Sequence, residues 1–163
     1  MDSTLQPLTE AHRQAVIDIY NHHVDHGFAS YREVRLPYEA FDRFLAIAKG
    51  YPAYVNVRSD GEVDGFGFLH AWHPSECFQR TAEITYFFHP GATRQGSGSR
   101  LLARLLEEAA VLKVDRILAS ISSRNPESIA FHRKHDFVEC GRFPQVGHKH
   151  GVDFDVVWMV RHL

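Results

Sequence analysis

Between Thr81 and Ala109 the chain changes character three times, and this stretch narrows the possible folds more than any other. Thr81 to His89 is a β-rich run of Ile, Tyr and Phe, and Pro90-Gly91 ends it. Arg94-Gln95-Gly96-Ser97-Gly98 follows, and then Leu101, Leu102, Leu105, Leu106 and Ala109 recur at the spacing of one helix face. A strand that runs through a glycine loop into a helix selects a layered α/β fold. Glycines at a helix start let an anion approach the backbone, where free N–H groups and the helix dipole favour phosphate. Gly96 and Gly98 are the residues placed to do this, with Arg94 adding charge nearby. A bare Gly-x-Gly is also an ordinary tight turn. Two phosphate motifs are excluded. A P-loop needs Gly-Lys-[Ser/Thr], which is absent, and a Rossmann fingerprint needs a third glycine and a place near the first strand.

The rest of the chain supplies elements on both sides of this unit. Thr4 to Pro7 reads as a short edge strand, and Thr9 as an N-cap with Glu10 in the first turn of a helix over about residues 10 to 24. A second helix is expected from near Pro37 to near Gly50, with Phe41, Phe44, Leu45 and Ala48 on one side. Ala53 to Val57 and Val63 to His70 read as strands around a Ser59-Asp60-Gly61 hairpin turn. Ile117 to Ile121 is a further strand, Asn125-Pro126 opens a helix, and Val138 to Phe143 and Phe154 to Val160 complete the sheet. The order β-α-α-β-β-β-α-β-α-β-β predicts a mixed α/β domain with one central sheet. No repeat or linker divides residues 1–163.

Bulk properties point to a small-molecule partner. At 163 residues and 44% hydrophobic content the chain can bury its own core. A formal charge of −2 leaves no broad basic footprint for nucleic acid. No apolar run approaches the length of a membrane span, and Met1 to Pro7 lacks the features of a signal peptide, so no membrane association and a cytoplasmic location are expected. Cys77 and Cys140 form neither a CxxC pair nor a zinc spacing. They read as free thiols in a reducing compartment, with a disulfide between them as the alternative.

Several motifs, in order, carry a resemblance. The strand, loop and amphipathic helix around Gly96 and Gly98 resemble the acetyl-CoA pyrophosphate loop of the GNAT superfamily of N-acetyltransferases. Thr81-Ala82-Glu83 to His89-Pro90, Asn125-Pro126-Glu127-Ser128-Ile129-Ala130-Phe131-His132 and Pro144-Gln145-Val146-Gly147-His148-Lys149 with Asp155 and Trp158-Met159 are similar to the phosphinothricin and methionine sulfoximine acetyltransferase branch. Ile19-Tyr20-Asn21 and Ala29-Ser30-Tyr31 extend the likeness towards the N-terminus, so that it runs from about Leu8 to Leu163. The resemblance implies a GNAT fold: a central mixed, mostly antiparallel, splayed sheet flanked by about four helices. Four positions depart from the branch pattern. Thr93 stands at the usual Gln/Arg position, Arg94 at a usual Gly, Asp136 at the Gly of the family's LGF, and His73 where close relatives often carry a substrate-gripping Arg. Phe78 likewise replaces a nearby Tyr.

What the resemblance implies about chemistry is transfer of acetyl from acetyl-CoA, used as co-substrate without a metal, to the primary amine of a small amino-acid-like acceptor. The amine must be neutral to attack, so a base is needed, and Glu83 on its β-rich strand takes that role. A solvent-facing carboxylate paired with Arg80 is the structural alternative for Glu83. His132 is expected to protonate the departing thiolate. Phe87 and Phe88 supply backbone contacts to the pantetheine arm, while Arg94, Gln95, Gly96, Ser97, Gly98, Ser99, Asn125 and Lys134 complete the cofactor set. Tyr31, Trp72, His73, Phe78 and Arg80 are the acceptor-site candidates, with Arg80 or protonated His73 suited to a carboxylate. Relatives are commonly dimers, so a homodimer is implied, with Gly147 to Trp158 contributing.

Other readings stay open at this level. The His22/His26 and His148/His150 pairs invite a metal, although zinc wants further ligands. A non-catalytic acyl-CoA-binding module fits the irregular Thr93-Arg94 loop, and a protein N-terminus, a polyamine or an aminoglycoside could replace the amino-acid-like acceptor.

Overall fold

Phe66 and Phe68 alternate with Gly65 and Gly67 in one strand, and this alternation sets the two faces of the sheet. In the computed structural model, which describes residues 3–92 and 96–163, both phenylalanines are buried against the first two helices. The glycines let the opposite face come close. A Cβ added at Gly67 would lie 2.6 Å from Tyr86 Cβ and 3.0 Å from Leu101 Cδ2.

The described chain forms seven strands and four α-helices in the expected order: β1 (Ser3–Pro7), α1 (Arg13–Asp25), α2 (Phe41–Ala48), β2 (Ala53–Arg58), β3 (Val63–Ala71), β4 (Thr81–Phe88), α3 (Ser97–Val111), β5 (Arg116–Ser122), α4 (Pro126–Lys134), β6 (Val138–Lys149) and β7 (Val152–His162). The strands make one sheet in the order β1-β2-β3-β4-β5-β7-β6. Only β4 and β5 are parallel. Helices α1 and α2 cover one face over Val55, Val57, Phe66 and Phe68. On the other face the buried stripe Leu101, Leu102, Leu105, Leu106 and Ala109 of α3 packs against Ile84, Ile117, Ala119 and Ile121.

The sequence boundaries shift for local reasons. Each of the first two helices starts later than expected, because a 3₁₀ turn precedes it at Glu10–His12 and at Tyr38–Ala40. At the first, His12 Nδ1 accepts the Thr9 backbone N–H at 3.1 Å. The two C-terminal strands are longer than Val138–Phe143 and Phe154–Val160, and they pair as a hairpin. Pro144 does not end β6, because β6 is an edge strand whose ladder is shifted between Phe143 and Gly147. Gln145 takes a φ of 51° there, and its N–H is held by Asp155 Oδ1 at 2.9 Å. His150 and Gly151, at φ 51° and 74°, make the turn, a pairing of positive φ angles suited to the twist of a two-residue hairpin loop.

The tip of this hairpin is fastened to the far side of the molecule. Lys149 is fully buried, and its Nζ donates to Ser30 O at 2.8 Å and His23 O at 3.1 Å. Burial pulls its pKa down. Lys149→Met keeps most of the apolar stem and orphans two carbonyls. The expected loss is about 2 kcal/mol of unfolding free energy, measured by urea titration, with the native sheet retained by circular dichroism.

Candidate active site

β4 and β5 share only three register pairs, Thr81↔Arg116, Ala82↔Ile117 and Glu83↔Leu118. Both strands continue, β4 to Phe88 and β5 to Ser122, so they part beyond Glu83. Bond direction alternates along β4. His89 N–H reaches Asp64 O at 2.8 Å, which turns the backbone of Phe87, like that of His89, towards β3. The backbone groups of Tyr86 and Phe88 therefore face the gap. Of the two residues expected to meet a pantetheine arm through their main chains, Phe88 faces the gap and Phe87 does not. Phe88 O accepts from His23 Nε2 at 2.8 Å, and the Phe87 ring packs between Tyr20 and His23.

The next residues lead to the α3 N-terminus. Thr93, Arg94 and Gln95 lie outside the described residues. Gly96 takes φ 83° at the N-cap, a left-handed angle that suits glycine, and the helical bonds begin with Arg100 N to Gly96 O at 3.0 Å. The N–H groups of Ser97, Gly98 and Ser99 thus belong to the uncommitted first turn. Gly98 packs closely: a Cβ there would meet the Phe131 ring at 3.5 Å. Ser99 Oγ lies 3.0 Å from His135 Nε2. A helix start without acidic residues, with a glycine against α4, fits a diphosphate. Asn125 caps α4, its Oδ1 accepting Ser128 N–H at 3.2 Å, and Lys134 is exposed in the last turn.

On the α1/α2 face of the sheet, Glu83 is half-buried, and burial raises its pKa. Arg80 does not neutralise it. The guanidinium is bound to Asp115, with Nε 2.9 Å from Oδ2, and is mostly exposed. Tyr31 reaches the Glu83 face from the α1–α2 connection. Its hydroxyl is 2.9 Å from Ser120 Oγ and its ring stacks on Phe154 at 5.6 Å. Burial raises the Tyr31 pKa, with a further push from the Glu83 charge. Trp72, His73 and Phe78 cluster just beyond β3, with ring centroids 4.7 to 6.1 Å apart. His73 Nδ1 accepts Ser75 N–H at 3.1 Å, which leaves its Nε2 as a donor.

His132 sits on the opposite face of β4. It is only 3% exposed. Its Nδ1–H donates to Ser128 O at 2.7 Å, and the Tyr86 hydroxyl donates to Nε2 at 2.8 Å. Burial lowers its pKa to about 4, so the imidazole is neutral at pH 7. Burial likewise pushes the Tyr86 phenol upwards. The expected imidazolium donor is therefore a neutral ring with both nitrogens engaged.

Sequence reasoning missed Tyr86, Ser120 and His70. Tyr86 read only as strand filling, and Ser120 stands in no motif. His70 continues the alternation of Phe66 and Phe68, a signal that could have placed it on their face of the sheet, though not in register with Glu83. The histidine pairs do not assemble further. The His22 and His26 rings stack at 4.5 Å, and among the described residues no group of three or more His, Cys, Asp or Glu could hold a metal. Cys77 and Cys140 are both free and exposed. No helix among the described residues is long and apolar enough to cross a membrane.

Comparison with known proteins agrees with this geometry. Residues 16–137 match the acetyltransferase (GNAT) family. The L-methionine sulfoximine/L-methionine sulfone acetyltransferase of Pseudomonas paraeruginosa is 32% identical, the match covering 100% of this chain and 96% of the relative. The crystal structure of a GNAT superfamily phosphinothricin acetyltransferase from Sinorhizobium meliloti in complex with AcCoA superposes with a TM-score of 0.93 at 30% identity, over 100% of this chain and 89% of that one. Ribosomal-protein-alanine N-acetyltransferase from Brucella melitensis gives 0.91 at 34% identity, over 98% and 99%.

The His132 environment sets an acid-side stability loss. In the unfolded chain the imidazole titrates near 6.5, and in the folded chain near 4. Between these values only the unfolded chain takes up the proton. The contribution is thus complete above pH 6.5 and disappears as the pH falls towards 4, by about 3 kcal/mol. Half-buried His23 and His70, also lowered, act with the same sign. Thermal melts from pH 4 to 8 should show a shallower acid limb for His132→Gln than for the unaltered chain; equal limbs would move the effect to other groups.

Proposed function

Because the chain belongs to the GNAT acetyltransferase family, we propose that it acetylates the primary amine of a small amino-acid-like acceptor of the phosphinothricin, methionine sulfoximine or methionine sulfone type. It is an acetyl-CoA-dependent N-acetyltransferase. The observation that carries the finer reading is the position of Glu83: a half-buried carboxylate at the last register pair before β4 and β5 part, with no cation bonded to it among the described residues. A carboxylate in that setting keeps a raised pKa, which suits removal of a proton from an ammonium.

The remaining residues divide between the two faces of β4. When bound, acetyl-CoA supplies an activated acyl group as a thioester. Gly96, Ser97, Gly98 and Ser99 hold its diphosphate through the α3 first turn, assisted by Arg94 and Gln95, with Lys134 and the cap residue Asn125 along α4. The Tyr86 and Phe88 main chains line the gap. His132, neutral and bonded to Tyr86, faces the thiol side as a hydrogen-bonding partner rather than as a charged acid. On the acceptor side Tyr31, Trp72 and Phe78 form an aromatic wall, and His73 Nε2–H is the donor for a carboxylate. Arg80 is occupied by Asp115 and serves the acceptor less directly. A homodimer belongs to the same reading, since edge strand β6 exposes Val138, Phe143 and Val146.

A second reading has a specific likeness behind it. The ribosomal-protein-alanine N-acetyltransferase structure matches over nearly the whole chain, so a protein N-terminus is the rival acceptor.

Thiol release from acetyl-CoA across an amine panel tests both. Methionine sulfone, methionine sulfoximine and phosphinothricin are expected to turn over, and Glu83→Gln to lower kcat by about 10²- to 10⁴-fold. Activity should fall on the acid side at a pH above the ordinary carboxylate range, as the raised Glu83 group takes up its proton. Turnover of an alanine-terminated peptide alone would assign the rival acceptor, and full activity in Glu83→Gln would remove the base.

A further inference from the structure

The β3/β4 register pairs His70 directly with Glu83. Residues opposite one another in an antiparallel pair project to the same side, with Cβ atoms about 5 Å apart. The faces agree. Phe66, Phe68 and His70 alternate onto the α1/α2 side of β3, as Glu83, Thr85 and Phe87 do on β4. The imidazole is half-buried and its orientation is fixed at both nitrogens. Nδ1–H donates to Ala71 O at 3.1 Å, so Nε2 carries the lone pair. That nitrogen points at β4, 3.4 Å from Thr85 Oγ1, two residues along from Glu83 on the same face.

We infer that His70 is a proton relay for the acceptor amine, taking from Glu83 the proton that Glu83 removes from the substrate. This rests on Glu83 as the base. The ammonium N–H bond breaks as a Glu83 O–H bond forms. That O–H then breaks as its proton joins the lone pair of His70 Nε2, and the imidazolium passes the proton to water. The carboxylate is restored, and one proton leaves per amide formed, as the overall reaction requires. His70 acts through Glu83 and not on the substrate itself.

The surroundings favour such a handover. Burial raises the Glu83 pKa and lowers that of His70, which brings two unlike groups towards a common range. α2, which packs on β3, turns Phe44 to this part of the strand, 5.8 Å from Phe68. From the α1–α2 connection comes Tyr31, its hydroxyl engaged by Ser120, and from β4 come Glu83 and Thr85. His73 lies beyond the end of β3 and meets Phe78 edge to face. His70 retains partial solvent access, which a relay needs for proton exit.

Two measurements decide the matter. The first needs no turnover: the His70 ring is titrated by NMR in the unaltered chain and in Glu83→Gln. Loss of the adjacent negative charge should lower the His70 pKa by about half a unit or more, and an unmoved titration overturns the pairing. The second uses His70→Ala and His70→Asn. Both should fold with near-normal melting temperature and lose about tenfold or more in kcat at pH 7, with little change in KM for the amine. Free imidazole should restore His70→Ala by about threefold or more, following the concentration of its neutral form, and leave His70→Asn unaffected. Full activity in His70→Ala, or a loss that imidazole does not relieve, overturns the relay. Failure of Glu83 itself as the base would appear separately, as undiminished turnover in Glu83→Gln.

Discussion

Everything distinctive in this structure depends on a pairing that stops early. Three register pairs hold β4 to β5, and after Glu83 the two strands lose each other while each keeps its outer neighbour. A parallel pair in the middle of a sheet normally continues until one strand ends, because unpaired main-chain groups are costly. Here the outer partners, β3 and β7, hold β4 and β5 rigidly enough for the gap to persist. On the proposed function, the main-chain groups it exposes form a binding surface. The α3 helix starts just past the wide end of the gap, and Glu83 sits at its apex.

Burial then treats the two faces of β4 in opposite ways. On one face it raises the pKa of a carboxylate, and on the other it lowers that of an imidazole to about 4. The carboxylate thus gains basicity on one side of the gap, while the imidazole on the other gives up its charge.

Legibility in the sequence followed the range of the forces involved. The strand–loop–helix unit from Thr81 to Ala109 could be read because periodicity and glycine placement are local properties, and Glu83 and the Gly96–Gly98 pair came with it. The register was not legible. Nothing near His70 in the chain says that it pairs with Glu83, since twelve residues and a turn lie between them. Tyr86 was read as filling because its hydroxyl partner, His132, is brought to it by tertiary packing. The alternative pairing of Arg80 with Glu83 gave way to Asp115 for the same reason: the α3–β5 turn, distant in sequence, arrives beside Arg80. The strand expected at Val138 to Phe143 runs on past Pro144, because an edge strand with a bulge accommodates a proline.

The Lys149 anchor has a consequence for the order in which this molecule can be completed. Its ammonium holds Ser30 O across 119 residues of chain, and Tyr31 is the very next residue. During synthesis α1, α2 and the first five strands can emerge and condense, with α3 in place, while the tyrosine wall beside Glu83 still lacks its support. β7 also inserts between β5 and β6, so the sheet is interrupted until its last strand arrives. Contacts of such long separation form late. On the proposed function, the diphosphate cradle is therefore built early and the acceptor chamber last, so that a nascent chain would hold its donor before having any place to receive an amine.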